Sequence, residues 1–184
     1  MDEMVRAAMA KWPNVPAVFG WLRLDARGQW WLREERLLQP AITDFFRRNY
    51  ARDGEGRFYV QNGPQKVYVT LEAAPFIARR LSQGWQLVPD LDAERPRLAY
   101  LDAAGSLYIE IGGEAAVVDD RDLLALAECI VTPAGGQPDD SDWQAWQRGE
   151  LRLHLDLPEG SLRLKPLPEG GVAGSYGVVL QPAL

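Results

Sequence analysis

The sequence predicts an α+β protein: repeated units of a β-hairpin followed by a helix, antiparallel sheets packed against those helices, and an antiparallel meander at the C-terminal end. Two observations carry this. The stretch Trp21-Leu22-Arg23-Leu24-Asp25-Ala26-Arg27-Gly28-Gln29-Trp30-Trp31-Leu32 is written again, in close variant, as Ala99-Tyr100-Leu101-Asp102-Ala103-Ala104-Gly105-Ser106-Leu107-Tyr108-Ile109. Both copies place β-formers around Asp-Ala-x-Gly, where Asp bonds its own backbone and Gly supplies a positive φ at the bend, so each reads as a hairpin. Further on, Leu151, Leu153, Leu155 and Leu157 alternate with Arg152, His154 and Asp156, the period of a strand with one wet face.

At 184 residues the chain is long enough to bury a core without disulfides or metals, as one domain or two packed subdomains. A net charge of −6 and a pI near 4.9 argue against a duplex nucleic-acid binder, whose affinity comes from clustered Lys and Arg. The single cysteine, Cys129, forms no internal disulfide, and Met1-Asp2-Glu3-Met4 lacks the basic and apolar regions of a leader. No apolar run approaches the roughly 20 residues that span a bilayer. The expectation is a cytoplasmic protein without nucleic-acid or membrane partners.

Asp2 to Lys11 reads as a short helical arm with Met4, Val5, Ala8 and Met9 on one side, stopped at Trp12-Pro13. The run Pro13-Asn14-Val15-Pro16-Ala17 is stiff and extended, and Trp12 at its head reads as a core plug. The first hairpin follows, with strands near Phe19–Asp25 and Gln29–Arg33; alternation sends Trp30 and Trp31 to opposite faces. Pro40 to Tyr50 spaces Ile42, Phe45 and Phe46 as one face of a helix, with Pro in its first turn and Arg47-Arg48 in its last.

A turn through Asp53-Gly54-Glu55-Gly56 opens a second hairpin, Arg57–Val60 and Lys66–Leu71, around the loop Gln61-Asn62-Gly63-Pro64-Gln65. Pro75 to Leu81, again with Pro at its start and Arg79-Arg80 near its end, reads as that unit's helix. The Pro- and acid-rich Gly84–Pro96 stretch divides an N-terminal subdomain, residues 1–88, from a C-terminal one, 89–184. The third hairpin, Leu98–Leu101 and Ser106–Ile111, leads through Gly112–Val118 to a buried helix from Arg121 to Val131, capped at Asp119 or Asp120. A capping box at Ser141-x-x-Gln144 starts a short helix with Trp143 and Trp146. The meander comprises the Leu151–Leu157 strand, Ser161–Lys165 and Ser175–Leu180.

The run Gly56-Arg57-Phe58-Tyr59-Val60-Gln61, then Pro64-Gln65-Lys66-Val67-Tyr68-Val69, Glu72 and Ala74-Pro75-Phe76-Ile77 resembles the central segment of a bacterial family, domain of unknown function twelve eighty-five. Lys11-Trp12-Pro13-Asn14-Val15-Pro16 resembles the opening of a smaller proteobacterial set of uncharacterised proteins. The resemblance covers about Gly28 to Leu81. It implies a repeated α+β motif and a regulatory or ligand-sensing role, with no catalytic residues to carry over. The chain departs from the family at Asn62-Gly63, and its Leu-rich C-terminal end has no counterpart there.

Chemistry-bearing residues are sparse. His154, the single histidine, lies on the polar face of a strand beside Arg152 and Asp156, and with one His and one Cys no His/Cys zinc site assembles within a chain. Asp119-Asp120-x-Asp122 and Asp139-Asp140-x-Asp142 lack the glycine and distant Glu of a calcium loop and read as helix caps. Gly112-Gly113, Gly135-Gly136 and Gly170-Gly171 lack the Lys-Ser/Thr of a phosphate loop. No cofactor, metal site or catalytic set is expected.

The residues left over are aromatic, amide and basic. Trp12, Trp21, Arg47, Asn49, Asn62 and Lys66 are the expected ligand-binding set, suited to a small polar or anionic ligand or a protein partner. The function expected is a non-enzymatic regulatory binding module. The alternatives are a metal-assisted hydrolase on Asp119, Asp120 and Asp122, and a structural protein that forms a homodimer through a strand edge of the Leu151–Leu180 meander.

Overall fold

The computed structural model describes residues 1–12, 15–92 and 95–184. Its strands form two sheets with helices at their margins. The first sheet holds β1 (Val18–Leu24), β2 (Trp30–Leu32), β3 (Glu35–Arg36), β4 (Tyr50–Arg52), β5 (Phe58–Asn62) and β6 (Gln65–Leu71), in the order β3-β2-β1-β6-β5-β4. The second holds β7 (Phe76–Arg80), β8 (Trp85–Val88), β9 (Pro96–Leu101), β10 (Leu107–Ile111), β11 (Glu114–Val118), β12 (Ile130–Val131), β13 (Leu153–Leu157) and β14 (Gly160–Pro166). Their order is β12-β13-β14-β9-β10-β11-β7-β8. Pairing is antiparallel except at β1–β6, β7–β11 and β9–β14. The helices are α1 (Glu3–Lys11), α2 (Pro40–Arg48), α3 (Leu123–Ala127), α4 (Asp140–Gln147) and α5 (Gly171–Tyr176). Among the described residues no helix is long and apolar enough to cross a membrane.

Both repeated hairpins form, and their turn occurs a third time at Asp53. In each, the Gly three residues on has a positive φ (76° at Gly28, 82° at Gly56, 86° at Gly105) and donates its N–H to the Asp carbonyl. The Asp Oδ1 accepts from the backbone N–H groups two and four residues later, at 2.7–3.0 Å. A carboxylate that satisfies two turn N–H groups fixes the bend locally, which is why unlike neighbours share it.

The hairpin-then-helix repeat holds for the first unit, where α2 follows β1–β3. It fails in the second. Phe76–Arg80 is a strand, because it lies between β11 and β8, and its Phe76, Ile77 and Ala78 are buried. A short apolar run buried on both faces has no alternation to betray it. Gly112–Val118, read as a link, contains β11 for the same reason. The expected helix from Arg121 to Val131 shortens to a single 3₁₀ turn, Asp120–Asp122, and α3, and Leu124 on it is 80% exposed rather than buried. At the C-terminal end β13 and β14 pair as expected, but Ser175 and Tyr176 finish α5, and Val179 makes an isolated bridge to Arg57 instead of a third strand. Residues 76–88, before the division drawn from the sequence, hydrogen-bond in the second sheet. Pro13 and Asn14 of the expected stiff run, and Ala93 and Glu94 of the expected linker, lie outside the described residues.

One core unites the sheets, running from Leu22, Leu24, Trp30 and Phe58 to Phe76, Ile77, Ile109 and Leu155. Tyr50 and Phe58 of the first sheet meet Phe76 of the second edge-on, at 5.8 and 5.9 Å, and the Tyr50 hydroxyl donates to the Pro75 carbonyl. Arg52 adds a polar tie: Nη1 pairs with Glu114, and Nη2 donates to the carbonyls of Tyr176 and Gly177.

Candidate functional site

The chemistry worth following gathers around α2. Pro40 opens it with no hydrogen-bonded side-chain cap, Arg47 and Arg48 close it against its dipole, and Phe45 and Phe46 pack onto the core. Phe46 meets the Trp30 indole edge-on at 5.2 Å. The helix does not fill the space over the first sheet, and a cavity lies on each of its flanks.

One cavity, about 380 Å³, lies between α2 and the sheet. Leu22, Val60 and Val67 of the sheet and Phe45 and Phe46 of the helix give it apolar walls, and Asn62 and Gln65 supply amides. Trp21, 48% exposed, and Leu32 also border it. The Arg33 guanidinium lies 4.0 Å over the Trp21 ring. The other cavity, of like volume, is bordered by Gly28, Gln29 and Trp30 of the first hairpin, Arg36 to Leu38, Thr43 and Arg47 of α2, and Val88 of β8. It is the more polar of the two in its side chains.

The family model described as "Protein of unknown function (DUF2946)" and named DUF2944 matches residues 1–183. The chain belongs to the DUF2944 family. Two solved structures are also similar to it. A DUF1285 family protein from Silicibacter pomeroyi DSS-3 is 19% identical, over 71% of this chain and 86% of that one, with a TM-score of 0.47. A DUF1285 family protein from Shewanella baltica OS155 is 14% identical, over 57% and 88%, with a TM-score of 0.44. No curated protein gives a match.

In this DUF2944 protein the expected ligand-binding residues do not form one site. Trp21 and Asn62 share the apolar cavity, and Arg47 borders the polar one. Asn49 is fully buried as the C-terminal cap of α2: its Oδ1 accepts from Asp2 N at 2.8 Å, and its Nδ2 donates to Phe45 O and Asp2 Oδ2. That amide, and then Arg48, hold the Asp2 carboxyl below its usual range. Lys66 points away from the apolar cavity, since its neighbours Gln65 and Val67 line it, and its ammonium sits 4.5 Å over the Tyr59 ring. Trp12, read as a core plug, is instead 51% exposed, with Lys11 over its ring at 4.6 Å.

The carboxylates that a metal-assisted reaction would use are each taken by arginine. Asp119 is buried against Arg121, whose guanidinium hydrogen bonds hold its carboxyl down at about 2. Asp120 accepts Arg27 bidentately, and Asp122 accepts Arg79 Nε and Arg80 N. Asp139 caps α4, in a capping box closed by Asp142 in place of the expected Ser141–Gln144 pair. Among the described residues no group of three or more His, Cys, Asp or Glu is placed to hold a metal ion. Arg80, expected at a helix end, pairs with Glu159 at 2.6 Å from a strand. His154 pairs in register with Val131 and Arg163, and the edge of β13 is covered there by β12.

Sequence reasoning missed Phe45, Phe46 and Arg36 as site residues, and it sent Trp30 and Trp31 to opposite faces without saying which of them enters the core; the structure buries Trp30. The helical period does mark both phenylalanines as inward-facing. What it does not show is that a cavity opens beside them.

Proposed function

We propose that this DUF2944 protein is a non-enzymatic binding module, and that the cavity under α2 takes a small, largely apolar molecule whose hydrogen-bonding end meets Asn62 and Gln65. The observation that supports this is the cavity itself: about 380 Å³, walled by buried Leu22 and Val60, and bordered by large apolar side chains left exposed. Ligand sites have this volume and this mixture of apolar wall with a few polar groups, and exposed apolar patches of this kind mark contact surfaces. The regulatory part of the reading rests on α2. A molecule seated against Phe45 and Phe46 would fix that helix, whose Asn49 cap holds Asp2 at the head of α1.

The test is a titration with the neutral fluorophore N-phenyl-1-naphthylamine. Saturable enhancement at one site is expected, and Val67→Phe, which fills the cavity, abolishes it while circular dichroism shows an unchanged fold. No saturable enhancement, or full enhancement in Val67→Phe, removes the reading.

A further inference from the structure

At its β12–β13–β14–β9 end the second sheet is dry on one face and open on the other. Leu153, Leu155 and Leu164 turn into the core and are buried, so alternation sends His154, Asp156, Arg163 and Lys165 to the opposite side. Register sets these in rows. Val131, His154, Arg163 and Leu98 lie side by side across four strands, and Lys165 lies beside Tyr100 in the next row. The register that pairs Leu153 with Leu164 brings Arg152, just before β13, level with Lys165. Arg152, His154, Arg163 and Lys165 thus stand at the corners of a patch about 5 Å across the strands and about 7 Å along them.

Among the described residues no hydrogen bond or ion pair engages the side chains of these four, and Glu150, two residues before Arg152, pairs with Arg148 instead. The carboxylate that shares their face is Asp156. Glu110, two strands from Arg163 along its row, accepts the Tyr176 hydroxyl at 3.0 Å, where α5 closes the face toward β10. Three arginine and lysine charges against one carboxylate leave the patch positive, on a chain whose net charge is −6. Unpaired cations gathered on an open face attract and orient an acidic partner.

We propose that this face of β13, β14 and β9 docks an acidic, extended segment of a partner protein, its carboxylates meeting Arg152, Arg163 and Lys165 and its apolar side chains lying against Val131 and Leu98. The surface belongs to the other sheet from the cavity under α2, and the inference goes beyond the function proposed for that cavity. Apolar side chains flank the basic ones along the row, which suits a segment that carries both kinds. A single-stranded nucleic acid would call for aromatic rings laid open for stacking, and Tyr100 is met edge-on by Tyr176 at 6.4 Å.

The test is fluorescence anisotropy of a short fluorescein-labelled peptide of alternating glutamate and leucine. Saturable binding is expected, weaker as salt is added. Arg163→Gln should weaken it about threefold, the worth of one exposed ion pair, Arg163→Lys should bind as the wild type does, and the triple variant Arg152→Gln, Arg163→Gln, Lys165→Gln should abolish it with the circular dichroism unchanged. A glutamate–serine peptide should bind several-fold more weakly, and an oligouridylate of equal length weaker still. No saturable binding, undiminished binding in the triple variant, or equal binding of the glutamate–serine peptide or the oligouridylate would overturn the proposal. Concentration-dependent light scattering that the triple variant removes would overturn it too, by placing a second copy of the chain on this face.

Discussion

The turns at Asp53–Arg57 and Asp102–Ser106 share a backbone and differ in everything around it. Each closes Asp N–H to the carbonyl four residues on, at 2.9 and 3.0 Å, and each carboxylate Oδ1 takes two turn N–H groups. Beyond that, Asp53 Oδ2 accepts Arg57 Nε at 2.8 Å and the Tyr68 hydroxyl at 2.9 Å, whereas Asp102 Oδ2 has the Tyr108 hydroxyl at 3.4 Å. A Cβ on Gly56 would lie 1.9 Å from the Gly177 carbonyl oxygen; one on Gly105 would meet nothing within 4 Å. The lesson is that a local motif decides the bend, and tertiary neighbours decide how much the molecule depends on it.

The strongest way to break the comparison is Gly56→Ala. Backbone would have to move at a contact between the first sheet and the C-terminal segment, so a loss of about 3 kcal/mol or more is expected in urea unfolding; a loss no greater than that of Gly105→Ala would show the two turns to be equivalent. Asp53→Asn comes next, at about 2 kcal/mol near neutral pH, for the charge-assisted bonds from Arg57 and Tyr68. Burial acts to raise the Asp53 carboxyl, but the Arg57 backbone and guanidinium donors and the Tyr68 hydroxyl outweigh it and lower it to about 2. A depressed folded-state value means that its stabilisation is whole above the ordinary range near 4 and is lost as pH falls from there through about 2. The wild type should therefore lose its advantage over Asp53→Asn across that window, and a difference independent of pH would show that the carboxylate charge is not what matters. Gly105→Ala is the mildest, about 1 kcal/mol from the left-handed backbone alone, measured by the same unfolding curves.

What was legible in the sequence is what is local. Asp25 and Asp102 announce their turns because the hydrogen bonds span four residues, and the third copy is hidden only because Arg52-Asp53-Gly54 replaces Leu-Asp-Ala; Asp, a Gly three later and an aromatic six later are common to all. The alternation from Leu153 to Leu157 likewise shows directly as β13. Phe76–Arg80 went wrong because Pro75 and the Arg79-Arg80 pair mimic helix ends, while its strand character comes from β8 and β11, both remote in sequence. The candidate sites show the same limit. Arg47, Trp21 and Asn62 could be picked out by type, yet that Arg47 borders one space and Trp21 and Asn62 another follows from tertiary packing around α2 that no local pattern shows.

Arg52 illustrates the opposite extreme, a group whose partners no local pattern could supply. Its guanidinium reaches Glu114, 62 residues away, and the Gly177 carbonyl, 125 residues away. Closing loops of that size costs entropy that grows only with the logarithm of their length, and the paired sheets have already closed most of the distance. One side chain thus gathers three remote stretches of chain at little added entropy, so that slack in any one of them is felt by the other two.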